Sequence, residues 1–322
     1  MTNFQVYKKT LPFSLVMFLA DLLALVVFVG CCAAGFFIAN RSIDMALVGL
    51  LIGLVIGIIL ASLINIFLTN RIKAAQIAMM TKGVNEDTLP EHTFKEGFVE
   101  IKGRFGKITA FFFITNAIKS IFRQLGRAVN RLGTAIGGDV GNGITSAIDS
   151  AVQTLVAYLC DCCLGWILYR KDVNAAKAGC EGAVIFFKHG KTLIRNIGRI
   201  FGMGFLSFLL IGGAFFGIFF AILYFVPGMI NALSSEIIEF GVRNSIDLPE
   251  FVSNTTLLAV VIAAIGGIIL WSILHSVLIR PFILVGVLRN FMAAGKQDIP
   301  SEADFAELDK RSPRFAKLHG SI

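Results

Sequence analysis

The sequence predicts an all-α polytopic membrane protein, a helical bundle of about six membrane segments forming one membrane domain over residues 1–322. Three observations carry this. Hydrophobic residues make up 56% of the chain and charged residues 16%, with a mean hydropathy of +0.79; a soluble domain carries about 25% charged residues. The excess lies in bulky and small residues, 30 Phe and 32 Gly, a mixture suited to helices packing side by side in lipid. The apolar residues also come in runs of about 20, the length that crosses hydrocarbon. Such a composition excludes a disordered chain and argues against a water-soluble enzyme.

Taken in order, four runs are long enough to span: 12–39, 45–69, 203–226 and 257–280. Pro281 follows the last and predicts a kink or a stop there. Two weaker runs, 105–124 and 144–169, carry charges inside them: Lys119 and Arg123 in one, Asp149 and Asp161 in the other. They read as spans, or else as interfacial or re-entrant segments. The first apolar run is much longer than the roughly 7–15-residue core of a cleaved signal, so no cleavage is expected.

Orientation follows from counting Lys and Arg across a six-span arrangement. The segments on one side hold 21 of them and those on the other hold 4. Basic residues accumulate in cytoplasmic segments, so both termini are expected in the cytoplasm. Residues 70–104 then form a cytoplasmic loop and 293–322 a charged cytoplasmic tail. The net charge of +8 thereby reports topology, and no nucleic-acid partner is expected.

Part of the basic charge is ordered. Lys119, Arg123, Arg127 and Arg131 recur every four residues, opposite apolar positions such as Ile118, Phe122 and Leu125. Lys188, Lys191, Arg195 and Arg199 form a second stripe at helical spacing. Both predict basic amphipathic helices lying in the headgroup plane and touching anionic lipid. Small residues are ordered too. Gly49, Gly53 and Gly57 share one face, and Gly213 and Gly217 repeat the pattern. Such ridges form close helix–helix seams, either within the chain or in a homo-oligomer.

Ionisable groups inside membrane segments usually face a cavity or a partner. Asp21 and His275 are the clearest cases. Six cysteines show no zinc-ligand spacing, and the four histidines match no catalytic or metal-binding pattern. No metal site, cofactor or enzymatic activity is expected.

From Phe105 onward the order of features resembles the C-terminal half of the choline transporter-like family. Arg104-Phe105-Gly106-Lys107-Ile108 leads into the first basic stripe. The cluster Cys160-Asp161-Cys162-Cys163 with Trp166 comes next, then Ile185-Phe186-Phe187 ahead of Arg195-Asn196-Ile197. Leu284-Val285-Gly286-Val287-Leu288 after the last span matches in position. The resemblance implies a membrane permease for an organic cation or lipid-related solute. Aromatic faces bind a quaternary ammonium, so Trp166 and Trp271, with Asp21 and His275, are the candidate substrate-binding residues. The alternative is a non-transporting protein that senses or organises anionic lipid through its two basic helices.

Overall fold

The structure, a computed structural model, describes residues 1–38, 43–104, 116–117, 120–121, 142–243, 245 and 248–321, with 43–44, 46–47, 142–152 and 190–197 described by their backbone alone. Every regular element among the described residues is a helix. Four helices are long and apolar enough to cross a membrane: Asn3–Ile38, Val48–Asn85, Gly198–Phe225 and Thr255–Gln297. Contacts divide the chain into two compact units, one of Met1–Ile197 with Pro281–Ile322 and one of Gly198–Arg280.

The first unit opens with a hairpin of α1 (Asn3–Ile38) and α2 (Ile43–Ile64). The seam is backbone against backbone. A Cβ on Gly53 would run into the Cys31 carbonyl, and one on Gly57 would sit 3.1 Å from the Phe28 carbonyl. The opposite face of α2 is bare apolar surface, with Leu51 62% and Val55 55% exposed. An 18-residue window of this helix is only 11% buried, as expected of a helix whose outer face is solvated by lipid.

α2 does not end at the edge of its apolar run. A π-helical turn, Asn65–Thr69, passes it directly into α3 (Asn70–Asn85). There the surroundings reverse: Ile72 and every residue from Ala74 to Thr81 are buried. α3 packs on the start of α1, on α4 (Thr93–Arg104) and on α5 (Asn142–Tyr169). Gln76 joins α3 to α1 by donating to the Thr10 carbonyl at 3.2 Å and to Ser14 Oγ at 2.7 Å. α6 (Ala175–Lys188) and α11 (Arg280–Gln297) complete this helical core. The tail adds α12 (Glu302–Arg311) and α13 (Pro313–His319), which bury Phe305 and Phe315 against it. Segments 70–104 and 293–322, expected as a loop and a tail, are thus largely folded helices.

The second unit holds the end of α7 (Gly190–Ser207), a π turn Phe208–Gly212, α8 (Gly213–Phe225), α9 (Pro227–Arg243) and α10 (Thr255–Leu274). α8 and α10 form its hairpin, closed where Gly267 meets the Gly212 carbonyl, 3.1 Å from a Cβ built there. Gly213 and Gly217 face open space instead. Gly213 is one residue past Gly212, a rotation of about 100°, which takes it off the seam. α9 ties the far end: Ser234 Oγ donates to the Val252 carbonyl at 2.7 Å, beneath a cluster of Leu223, Ile230 and Leu258. Pro281 does not stop the last helix. The helix runs on to Gln297, and a π turn, His275–Ile279, ends two residues before the proline. A π turn shifts the hydrogen-bond register, which accommodates the missing N–H.

The returning helices of the two hairpins share a local pattern. Gly57-Ile58-Ile59-Leu60-Ala61-Ser62 matches Gly267-Ile268-Ile269-Leu270-Trp271-Ser272 at five of six positions. The buried small residues Gly49, Gly53 and Gly57 correspond to Ala259, Ala263 and Gly267, also buried. In both hairpins a π turn begins eight residues after the shared glycine, at Asn65 and at His275. In both, the helix then continues into the core.

Gly53→Ala is expected to destabilise the protein by about 1–3 kcal/mol, the usual cost of overpacking. Gly217→Ala, which meets open space, should keep stability or raise it by up to about 1 kcal/mol. Thermal unfolding of the two variants in detergent checks the difference.

Candidate functional site

The polar side chains that the sequence singles out in the spans have partners within their own units. Asp21, half-buried in α1, accepts a hydrogen bond from Thr69 Oγ1 at 3.2 Å. Thr69 is the last residue of the first π turn. In the second unit Trp271 Nε1 donates to Ser207 Oγ at 3.2 Å, and Ser207 donates to the Gly204 carbonyl at 2.7 Å. The indole lies edge-on to Phe208, centroids 5.1 Å apart, and beside His275 at 5.3 Å. His275 begins the π turn of that hairpin. Each hairpin therefore places its polar groups beside the helix interruption, a position where π turns are often functional. Asp21 belongs to the first unit, and Trp271 with His275 to the second.

Sequence reasoning missed Thr69 and Ser207, the partners that make these clusters. Asn65, Thr69 and Asn70 do interrupt an apolar run at its end, which was the available signal for the first. Nothing in the spacing of Ser207 distinguishes it.

Trp166 lies elsewhere and does something else. It is fully buried in the helical core, and its Nε1 donates to Glu181 Oε2 at 2.9 Å. Glu181 is itself 2% exposed, and Arg170 Nη1 lies 3.1 Å from the same oxygen. Arg170 also grips Asp172 with two hydrogen bonds of 2.8 Å. Arg104 completes the cluster by donating to the carbonyls of Ile167 and Arg170 at 2.9 and 2.8 Å, satisfying the C-terminus of α5. Asp161, read as a charge inside a weak span, pairs with Lys73 at 2.6 Å. The apolar half of α5 thus faces protein: every residue from Tyr158 to Leu168 is buried. These charges fix the core, and Trp166 is enclosed within it.

Of the two basic stripes, Lys119, Arg123, Arg127 and Arg131 lie outside the described residues, as do the side chains of Lys191 and Arg195. Lys188 is engaged by Asp298 and Asp304 at 2.9 and 3.1 Å. Arg199 is exposed. Cys160, Cys162, Cys163 and Cys180 are buried. Burial pushes the Cys180 thiol up to about 12, far from a reactive thiolate. Among the described residues no group of three His, Cys, Asp or Glu side chains is placed to hold a metal ion.

Comparison with models of protein families, with curated proteins and with solved structures finds no match in any of the three.

Removing one partner of a buried ion pair strands the other in low dielectric. Glu181→Ala is therefore expected to cost about 3 kcal/mol and to free the Trp166 indole N–H. Thermal unfolding followed by tryptophan fluorescence should show both the lower midpoint and a changed native emission.

Proposed function

We propose that this integral membrane protein is a small permease for an organic cation or lipid-related solute, with both termini in the cytoplasm and no catalytic step. The observation that carries this reading is the pair of hairpins whose returning helices share a local pattern, each hairpin bearing its polar side chains beside a π turn. Many transporters are built from internal repeats and bind their solute at interrupted helices. Intramembrane ionisable groups commonly mark such pathways.

The chemistry of the two clusters fits a cation. Asp21 supplies a carboxyl within a span. Trp271 and Phe208 supply aromatic faces, and such faces attract a quaternary ammonium by about 0.5–2 kcal/mol each. The resemblance from Phe105 onward to the choline transporter-like family supports the same solute class. The orientation is supported by where basic residues are missing. The connections within the hairpins, 39–47 and 226–254, contain only Arg41 and Arg243 of the 29 Lys and Arg.

Uptake of labelled choline into proteoliposomes tests the reading. The native chain should accumulate choline above protein-free vesicles. Asp21→Asn should abolish uptake, and Trp271→Ala should weaken choline binding by about 1–2 kcal/mol. Absence of uptake from correctly folded protein in either orientation would refute it.

A further inference from the structure

A groove of 840 Å³ opens between the start of α1 and the start of α4. Its size lies in the range that holds a small amphiphile, about 300–1,000 Å³. Three lysines line it: Lys8 and Lys9 from α1, and Lys95 from the first turn of α4. One carboxylate, Glu91, lies among the lining residues, so the groove keeps a positive balance. All three lysines are exposed, and among the described residues no ion pair involves them. Other lysines of the same unit are engaged. Lys73, Lys171, Lys177 and Lys188 are each held by a carboxylate.

The groove also has a definite depth. On α1 the first outward-facing leucines of the span are Leu15 and Leu19, 50% and 59% exposed. Lys9 precedes Leu15 by six residues, or about 9 Å of helix. The headgroup layer on each side of the hydrocarbon is about 5–8 Å thick, within reach of a lysine that extends toward it. The walls are apolar where they should meet acyl chains: Pro12 belongs to α1, and Phe94 is 37% exposed beside Lys95. The N-terminal turn of α4, a 12-residue helix, opens on the same space and favours an anion there.

We propose that this groove binds the phosphate headgroup of an anionic phospholipid, with Lys8, Lys9 and Lys95 as its ligands. The site is separate from the clusters in the spans and does not depend on the transport reading.

Binding of dioctanoyl phosphatidylglycerol to the full chain in neutral detergent tests it, with dioctanoyl phosphatidylcholine and glycerol 3-phosphate as comparisons. Phosphatidylglycerol should bind most tightly and lose affinity as salt rises. Each Lys→Gln change should weaken it about fivefold, and all three together roughly a hundredfold. Lys8→Arg with Lys9→Arg and Lys95→Arg should retain it, and Lys310→Gln with Lys317→Gln, remote in the tail, should not alter it. If the triple Gln variant loses its thermal transition, Lys95→Gln alone carries the test. Undiminished affinity in the Gln variants, or equal affinity for phosphatidylcholine, would overturn the site. Equal affinity for glycerol 3-phosphate would overturn the lipid as its occupant.

Discussion

Everything in this protein depends on helices that pass from lipid into a packed protein core without releasing their backbone hydrogen bonds. A bilayer offers no water to an exposed N–H or carbonyl. The change of surroundings must therefore take place within continuous helix. Val48–Asn85 and Thr255–Gln297 are 38 and 43 residues long, about 57 and 65 Å at 1.5 Å per residue. Hydrocarbon needs only about 30 Å of that. The surplus becomes α3 and α11, and the π turns mark where each helix changes partners. A π turn adds a residue and rotates the downstream helix about its axis, so the buried stripe need not continue the seam of the hairpin. In α11 this lets 11 of the 15 positions from Pro281 to Gly295 be buried against protein.

The core those extensions enter is held by groups unsuited to lipid. Glu181, Arg170 and Arg104 converge at the end of α5, and Lys73 with Asp161 sits along it. Burying such charges is expensive unless they are paired, and here each is paired or hydrogen-bonded. Glycine sets the closest approaches. A Cβ on Gly165 would lie 2.7 Å from Leu288 and 2.8 Å from Thr81, and one on Gly295 would lie 2.6 Å from the Trp166 ring. The continuations of both hairpins therefore meet on the same helix, at a position where only a hydrogen fits.

The membrane class and the four strong spans were legible because hydropathy over twenty residues is a large, local signal. The Gly49, Gly53 and Gly57 face was legible because its period is that of a helix. Hydropathy fails where the surroundings change but the composition does not. Residues 158–168 of α5 are as apolar as a span, and they face protein. Trp166 looked like a ligand aromatic because its partner Glu181 lies 15 residues away, across a turn that no periodicity reveals. The clusters in the spans were half legible. Asp21 and His275 stand out as charges in apolar runs, whereas Thr69 and Ser207 are ordinary hydroxyls until the fold brings them into contact. The likeness of the two returning helices escaped for a similar reason: its shared residues are common apolar ones, and the π turns stand out only in the fold.

The even number of crossings in each hairpin has a consequence for how such a chain can arise. A unit that crosses twice returns the polypeptide to the side it left. A second copy fused in tandem then enters the membrane from that same side, with its basic flanks already on the face they prefer. No inverted insertion is required, in contrast to repeats with an odd number of crossings. Parity also confines variation. A segment placed between two such pairs of crossings meets the membrane from one face at both its ends, and the described helices between the two hairpins, α3 to α6, pack in the core of the first unit.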